Sequence, residues 1–307
     1  MKIMIFGSGG VGGYFGARLA ASGEDVRFIA RGPHLDAMKN NGLHVTSVLG
    51  DAHVKSVNAT DTVADCGIAD MVFVAVKLYD TDAAADAIRP AVGPDTTLVS
   101  FQNGVSGADI LSGAFGRENV IGGSSSIAAR IEKPGVIEHT GTMALLAFGE
   151  WDGQPAPRTQ SLFDACAGAG IMATLSDHIE GVIWSKFVFL AAFAGITCMF
   201  WEPIGPILED PEKRDLFRSA LEETHAIARA RGVTLPDDLV TKRMGFADGL
   251  PVEMYSSMYH DLNAGKRLEL PWLSGTVVDF GLELGIDTPA HQSFVDALSS
   301  FVDGAPG

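Results

Sequence analysis

Gly7-Ser8-Gly9-Gly10-Val11-Gly12 forms a G-x-G-x-x-G directly after the apolar run Lys2 to Phe6, at the head of a helical stretch from Gly10. That spacing suits a phosphate-bearing dinucleotide. Gly7 permits a tight turn, Gly9 lets backbone approach a pyrophosphate, and Gly12 lets helix and strand pack closely. The helix N-terminus adds free N–H groups and a partial positive charge. In a chain with 36 glycines the motif alone is weak, and the same letters without a ligand are a glycine-rich turn. Its place between strand and helix gives it weight.

The next strand-like run, Asp25 to Ala30, ends in Arg31 rather than in an acidic residue. A carboxylate at that tip would bind a ribose 2′-hydroxyl, whereas a guanidinium accepts a 2′-phosphate, so the spacing selects NADP over NAD. The bland alternative is an exposed arginine in a solvated turn. Lys77 closes the apolar run Met71 to Val76, and Asn103 follows the run Thr96 to Gln102. Both stand where ligands of open α/β sheets collect, although each is also an ordinary strand-end residue type.

Lys186 precedes the 15-residue apolar run Phe187 to Trp201. A buried lysine must reach solvent, find a carboxylate or line a cleft, and a cleft lysine can protonate an oxygen on which negative charge develops. The eight histidines show no H-x-H, H-x-x-x-H or H-E-x-x-H spacing, so no metal site is expected. Cys66, Cys166 and Cys198 are scattered, as buried free thiols would be.

These residues need a scaffold. Strand-like runs at 2–6, 25–30, 43–48, 71–76 and 96–102 alternate with helical stretches at 10–22, 33–41 and 81–92, which predicts βαβ units and a parallel sheet. From Asn119 to Glu150, short β-prone runs separated by Pro-Gly and Thr-Gly predict an appended meander, followed by a helix over 160–170 and a strand over 171–177. Helical patterns then cover 178–200, 210–231, 236–248, 252–264, 269–284 and 288–302, with Gly232, Gly249, Gly265 and Gly285 punctuating their ends. The expected class is therefore α/β: a Rossmann-type doubly wound domain over 1–177 and an all-helical domain over 178–307.

The net charge of −16, from 22 basic and 38 acidic residues, disfavours a nucleic-acid footprint. The 15-residue apolar run falls short of the roughly 20 residues that span a bilayer. With no signal-like N-terminus, a cytoplasmic protein without membrane or nucleic-acid partners is expected. The apolar helical half is compatible with a homodimer.

In combination, GSGGVG at 7–12, Arg31, AVK ending at Lys77, QNG around Asn103, WSK ending at Lys186, SSM at 256–258 and LEL around Glu269 resemble the ketopantoate reductase (2-dehydropantoate 2-reductase) family over the whole chain. The resemblance implies NADPH held by the glycine loop and Arg31, with Lys77 and Asn103 near its ribose and nicotinamide. It implies a small 2-oxo acid substrate, reduced in the family on the route to pantothenate, and a helical domain closing a cleft over it. Lys186 would be the general acid, Glu269 would bind substrate and orient or pair with Lys186, Ser257 would contact the substrate carboxylate, and Asn103 would also face substrate. Ser257 can equally be a helix-surface hydroxyl, and Glu269 an acidic residue in a helix's first turn.

The chain departs from that family pattern at three positions. The family places asparagines four and eight residues beyond its lysine and a third further on; here those positions are Leu190, Ala194 and Ile204. Aliphatic groups in place of amides lose hydrogen bonds to a hydroxylated substrate. The expectation is thus a reductase of ketopantoate or of a different, less polar 2-oxo acid. A β-hydroxyacid or opine-type dehydrogenase and a non-catalytic NADP-binding protein are the other readings. Arg31 with SSM and LEL disfavours the former, and retention of Lys186 with Glu269 disfavours the latter.

Overall fold

Apolar runs of four or five residues become the central strands because both of their faces are covered. A computed structural model describes residues 1–304 of the chain, which divides into two units, Met1–Val182 and a second from Ile183 onward. The division falls inside a helix, five residues beyond the boundary expected from sequence.

In the first unit β1 (Lys2–Phe6) leads through α1 (Gly10–Ala21) to β2 (Asp25–Ile29), and α2 (Gly32–Asn41) follows. Then come β3 (Leu43–Ser47), β4 (Ala52–Val54), β5 (Asn58–Thr60), β6 (Met71–Val74), α3 (Thr81–Ile88), β7 (Thr97–Ser100) and α4 (Gly107–Phe115). The unit continues with β8 (Val120–Lys133), β9 (Val136–Gly149), α5 (Pro157–Gly168) and β10 (Met172–Leu175). The sheet runs β4-β3-β9-β8-β7-β6-β1-β2-β5, with β10 pairing with β9. From β5 through β2, β1, β6 and β7 to β8 every neighbour is parallel. Strand alternation sorts the core onto two faces. Ile3, Ile5, Phe28 and Phe73 join one buried cluster, while Met4, Phe6, Val72 and Val74 join the other.

In this unit two features differ from the sequence reading. The expected meander of short runs is a pair of 14-residue strands, β8 and β9, joined antiparallel and continuous with the main sheet. Pro134-Gly135 does make the turn, with Gly135 at φ +78°, but Thr140-Gly141 is a bulge inside β9 that shifts the register opposite Ile127 and Ala128. In addition, β4, β5 and α4 form where no element was expected.

The second unit is helical. Its first helix, α6 (Ile179–Phe200), begins within the first unit; α7 (Ile204–Glu209), α8 (Pro211–Ala230), α9 (Leu239–Asp248), α10 (Ser257–Asn263), α11 (Ser274–Leu284) and α12 (Pro289–Leu298) follow. Among the described residues α6 alone has the length and hydropathy of a membrane span, yet most of that apolar window is buried inside the protein. Asp210 caps α8, its carboxylate accepting from the N–H groups of Glu212 (2.9 Å) and Lys213 (3.2 Å). Glu223 on α8 does the same for α12, accepting from Ala290 and His291 at 2.7 and 3.0 Å. Gly195 lets α12 approach α6 closely: a Cβ there would lie 2.7 Å from Cγ of Phe294.

Candidate active site

The glycine loop leaves β1 and enters α1 as its residue types require. Gly7 sits at φ +103°, where a Cβ would come within 2.7 Å of the backbone of Ala75 and Val76 beyond β6. A Cβ at Gly12 would come within 2.8 Å of Ile5 Cγ2, so this glycine permits the contact between α1 and β1. Gly9, by contrast, has nothing within 4 Å of its Cβ position. It is also the N-cap of α1, without a side-chain cap and with no acidic residue in the following turn. An open glycine at an uncapped helix start is a cradle for an anion, and the loop fits a dinucleotide pyrophosphate. Gly10 and Val11 occupy the first two helical positions, where their N–H groups have no helical acceptor.

Ser8 is buried rather than presented to a ligand. Its hydroxyl donates to the carbonyl of Ile29 (2.8 Å), and its N–H reaches the same oxygen at 3.3 Å. This ties the loop to the end of β2. Arg31, two residues beyond β2, is the N-cap of α2; it is exposed, and among the described residues no carboxylate pairs with it. Its guanidinium is available to a phosphate.

Lys77 does not close β6, which ends at Val74; it lies three residues further on, half-buried, in the loop that leads to α3. Asn103 occupies the corresponding loop after β7 and is likewise half-buried. Gln102 links the two loops. Its amide nitrogen donates to Val76 O (3.0 Å) and Thr81 Oγ1 (2.8 Å), and its amide oxygen accepts from the Ser100 hydroxyl (2.9 Å). Ser125 on β8 adds a bond from its hydroxyl to Phe101 O at 2.9 Å. The sequence reading quoted Gln102 within its QNG motif and assigned it no role.

In the second unit, Lys186 lies in the second turn of α6, among Trp184, Phe187 and Val188, all buried. Trp184 meets Phe187 edge-on at 5.6 Å and packs beside Phe280 of α11, while the Ser185 hydroxyl accepts from Arg243 at 2.7 Å. Burial pushes the Lys186 ammonium down to about 8, against the opposing pull of the Glu269 carboxylate. Glu269, only 3% exposed, stands just before a short turn of 3-10 helix, Leu270–Trp272, rather than in the first turn of a surface helix. A lysine that sheds its proton near pH 8, with a buried carboxylate acting on it, has the chemistry of a proton donor.

Ser257 is exposed at the first position of α10. The buried hydroxyl of this segment belongs to Ser256, which caps the helix by accepting from Tyr259 N–H and hydrogen-bonds Thr197 Oγ1 at 2.8 Å. Leu190 is half-buried; Ala194 on α6 and Ile204 on α7 are buried.

Family models match both parts of the chain. One described as Ketopantoate reductase PanE/ApbA covers residues 3–153, and its C-terminal counterpart covers 178–301. An uncharacterized oxidoreductase, YkpB of Bacillus subtilis, is 32% identical over 98% of this chain and 99% of its own. A 2-dehydropantoate 2-reductase of Mesorhizobium japonicum is 30% identical over 98% and 97% of the two chains. Among solved structures, a PanE/ApbA family ketopantoate reductase from Ralstonia eutropha superposes with a TM-score of 0.90 at 32% identity, covering 98% of each chain. Glycine cradle, apolar-helix lysine and end-to-end similarity agree: the chain belongs to the ketopantoate reductase family of NADPH-using oxidoreductases that act on CH–OH groups.

Proposed function

We propose that this protein reduces a small 2-oxo acid to the 2-hydroxy acid with NADPH, Lys186 acting as general acid. The reading is carried by the placement of Lys186 among buried apolar residues of α6, under the charge of the buried Glu269 carboxylate. Gly9, Gly10 and Val11 would hold the pyrophosphate through backbone N–H groups, and Arg31 the 2′-phosphate. Lys77 and Asn103 would meet the ribose and nicotinamide. The bound cofactor supplies hydride to the carbonyl carbon. Lys186 gives its proton to the carbonyl oxygen as negative charge develops there, and the neutral amine is reprotonated from solvent. Glu269 favours the charged form of Lys186 and so keeps the donor loaded. Ser257 would receive the substrate carboxylate.

Leu190, Ala194 and Ile204 favour a substrate whose side chain is hydrocarbon over ketopantoate itself. An aliphatic wall offers no partner to a hydroxyl, so the hydroxyl would be desolvated without compensation. The decisive pair is ketopantoate and 3,3-dimethyl-2-oxobutanoate, which lacks only that hydroxyl. NADPH consumption should show kcat/KM for the deoxy compound at least equal to that for ketopantoate. A preference for ketopantoate of tenfold or more would reject the hydrocarbon reading, and no turnover of any 2-oxo acid would reject the reductase. A homodimer is part of this proposal, and sedimentation velocity would test it.

A further inference from the structure

We infer that His34 is a positioning residue of the cofactor loop, fixing the direction in which the Gly9 N–H points. The inference rests on the NADPH reading above. His34 lies in the first turn of α2, three residues after Arg31, and is half-buried. Its Nδ1 accepts from the N–H of Gly135 at 3.0 Å. A backbone N–H can only donate, so Nδ1 is unprotonated and Nε2 carries the proton. That Nε2 lies 3.0 Å from the carbonyl oxygen of Ser8, to which it therefore donates.

The Ser8 carbonyl belongs to the peptide unit whose N–H is that of Gly9. In a trans peptide the C=O and N–H point in opposite directions. Holding Ser8 O toward His34 thus turns the Gly9 N–H away from α2. This plane turns about the Cα–C bond of Ser8 and the N–Cα bond of Gly9, and Gly9, with no Cβ and open space where one would stand, puts little steric resistance in its way. The side chain of Ser8 anchors its own residue to Ile29 but leaves its carbonyl free to turn. His34 supplies the missing constraint and is itself held from behind. Gly135 sits in the β8–β9 turn, and its carbonyl accepts from His44 N–H at 2.9 Å, which fixes the turn against β3. A pyrophosphate would meet N–H groups already aimed, with less ordering left to occur on binding.

Three substitutions separate the two arms of the imidazole. His34→Phe keeps the volume and removes both; His34→Asn keeps an acceptor near Nδ1; His34→Gln keeps a donor near Nε2. The expected result is a Kd for NADPH about tenfold higher in His34→Phe and His34→Asn, with most of the affinity recovered in His34→Gln. At saturating NADPH, kcat and the KM for the 2-oxo acid should stay within about twofold of the parent, since the chemistry lies elsewhere. In the cofactor-free protein, amide exchange at Gly9 and Gly10 should quicken in the first two variants and not in the third. Unchanged Kd in His34→Phe, or rescue by Asn as complete as by Gln, would overturn the role. The Asn and Gln pair answers the question if the Phe variant does not fold. If the parent itself fails to bind NADPH, the cofactor reading falls, and the exchange measurement still decides for or against His34.

Discussion

The carboxylate of Glu269 opposes the desolvation of Lys186: burial drives the ammonium toward its neutral form, and the buried acid pulls it back. The balance leaves a lysine that changes protonation near pH 8 instead of above 10. A proton donor must be loaded to act, so kcat/KM for reduction should be flat below about pH 8 and fall by a factor of ten per pH unit above it. Lys186→Met should lower kcat by about 10²- to 10⁴-fold with NADPH affinity unchanged. A variant that keeps the parental rate, or a profile without that descending limb, would remove Lys186 from the chemistry.

Replacing Glu269 by Gln keeps the shape and deletes the charge. Desolvation then acts on Lys186 unopposed and its pKa drops further. The descending limb should therefore move to lower pH, and the loss of rate should be larger at pH 8 than at pH 6. A limb that stays in place would show that the carboxylate does not tune the lysine.

Arg31 is tested by cofactor choice. In Arg31→Ala, the KM for NADPH should rise about 10- to 100-fold, as expected for loss of charge-assisted bonds to a phosphate. The KM for NADH should change by less than about threefold, because NADH has no 2′-phosphate for the guanidinium to meet. Equal effects on both cofactors would return Arg31 to the status of a solvated turn residue.

Gln102 holds the loops that carry Lys77 and Asn103 by its bonds to Val76 O and Thr81 Oγ1. Gln102→Leu removes these bonds together with the one from the buried Ser100 hydroxyl, and should lower unfolding stability by about 2 kcal/mol in urea titrations. The KM for NADPH should rise as well. Loss of stability with cofactor kinetics intact would make Gln102 a structural staple only.

His291 is fully buried on α12, its Nε2 within 2.8 Å of Thr224 Oγ1 and 3.0 Å of Ala220 O. Burial pushes its pKa down to about 4 from an ordinary value of 6.5. Its folded pKa lies below the unfolded one, so between these values the unfolded chain binds more protons, and stability falls as pH falls. This residue alone should cost about 3 kcal/mol between pH 6.5 and 4. His291→Gln should be less stable at pH 7 and show a shallower acid slope by that amount. Parallel slopes would contradict a neutral buried imidazole.

The glycine loop and Arg31 were legible because their geometry depends on neighbours along the chain: strand, turn and helix start lie within a few residues. Lys186 stood out for a related reason, a single charge in an apolar run. The pins were not legible. Gln102 acts through Val76 and Thr81, and His34 through Ser8 and Gly135, and these contacts exist only once separate βα units are side by side. The length of β8 and β9 was obscured by Gly141, whose type reads as a turn but whose place opposite Ile127 and Ala128 is a bulge. The edge strands β4 and β5, three residues each, carry too little pattern to be seen, and pairing with β3 and β2 creates them.

Gly195 sets a boundary on how this enzyme can diversify. The ring of Phe294 occupies the space that any side chain at 195 would need, so that flank of α6 cannot gain even a methyl group without displacing α12. Leu190 lies five residues earlier, about 140° around the helix, and is not tied to that crossing. On the proposed reading, drift in substrate preference is left to positions away from that crossing, Leu190 among them, where polarity can be exchanged while the helical scaffold is left alone.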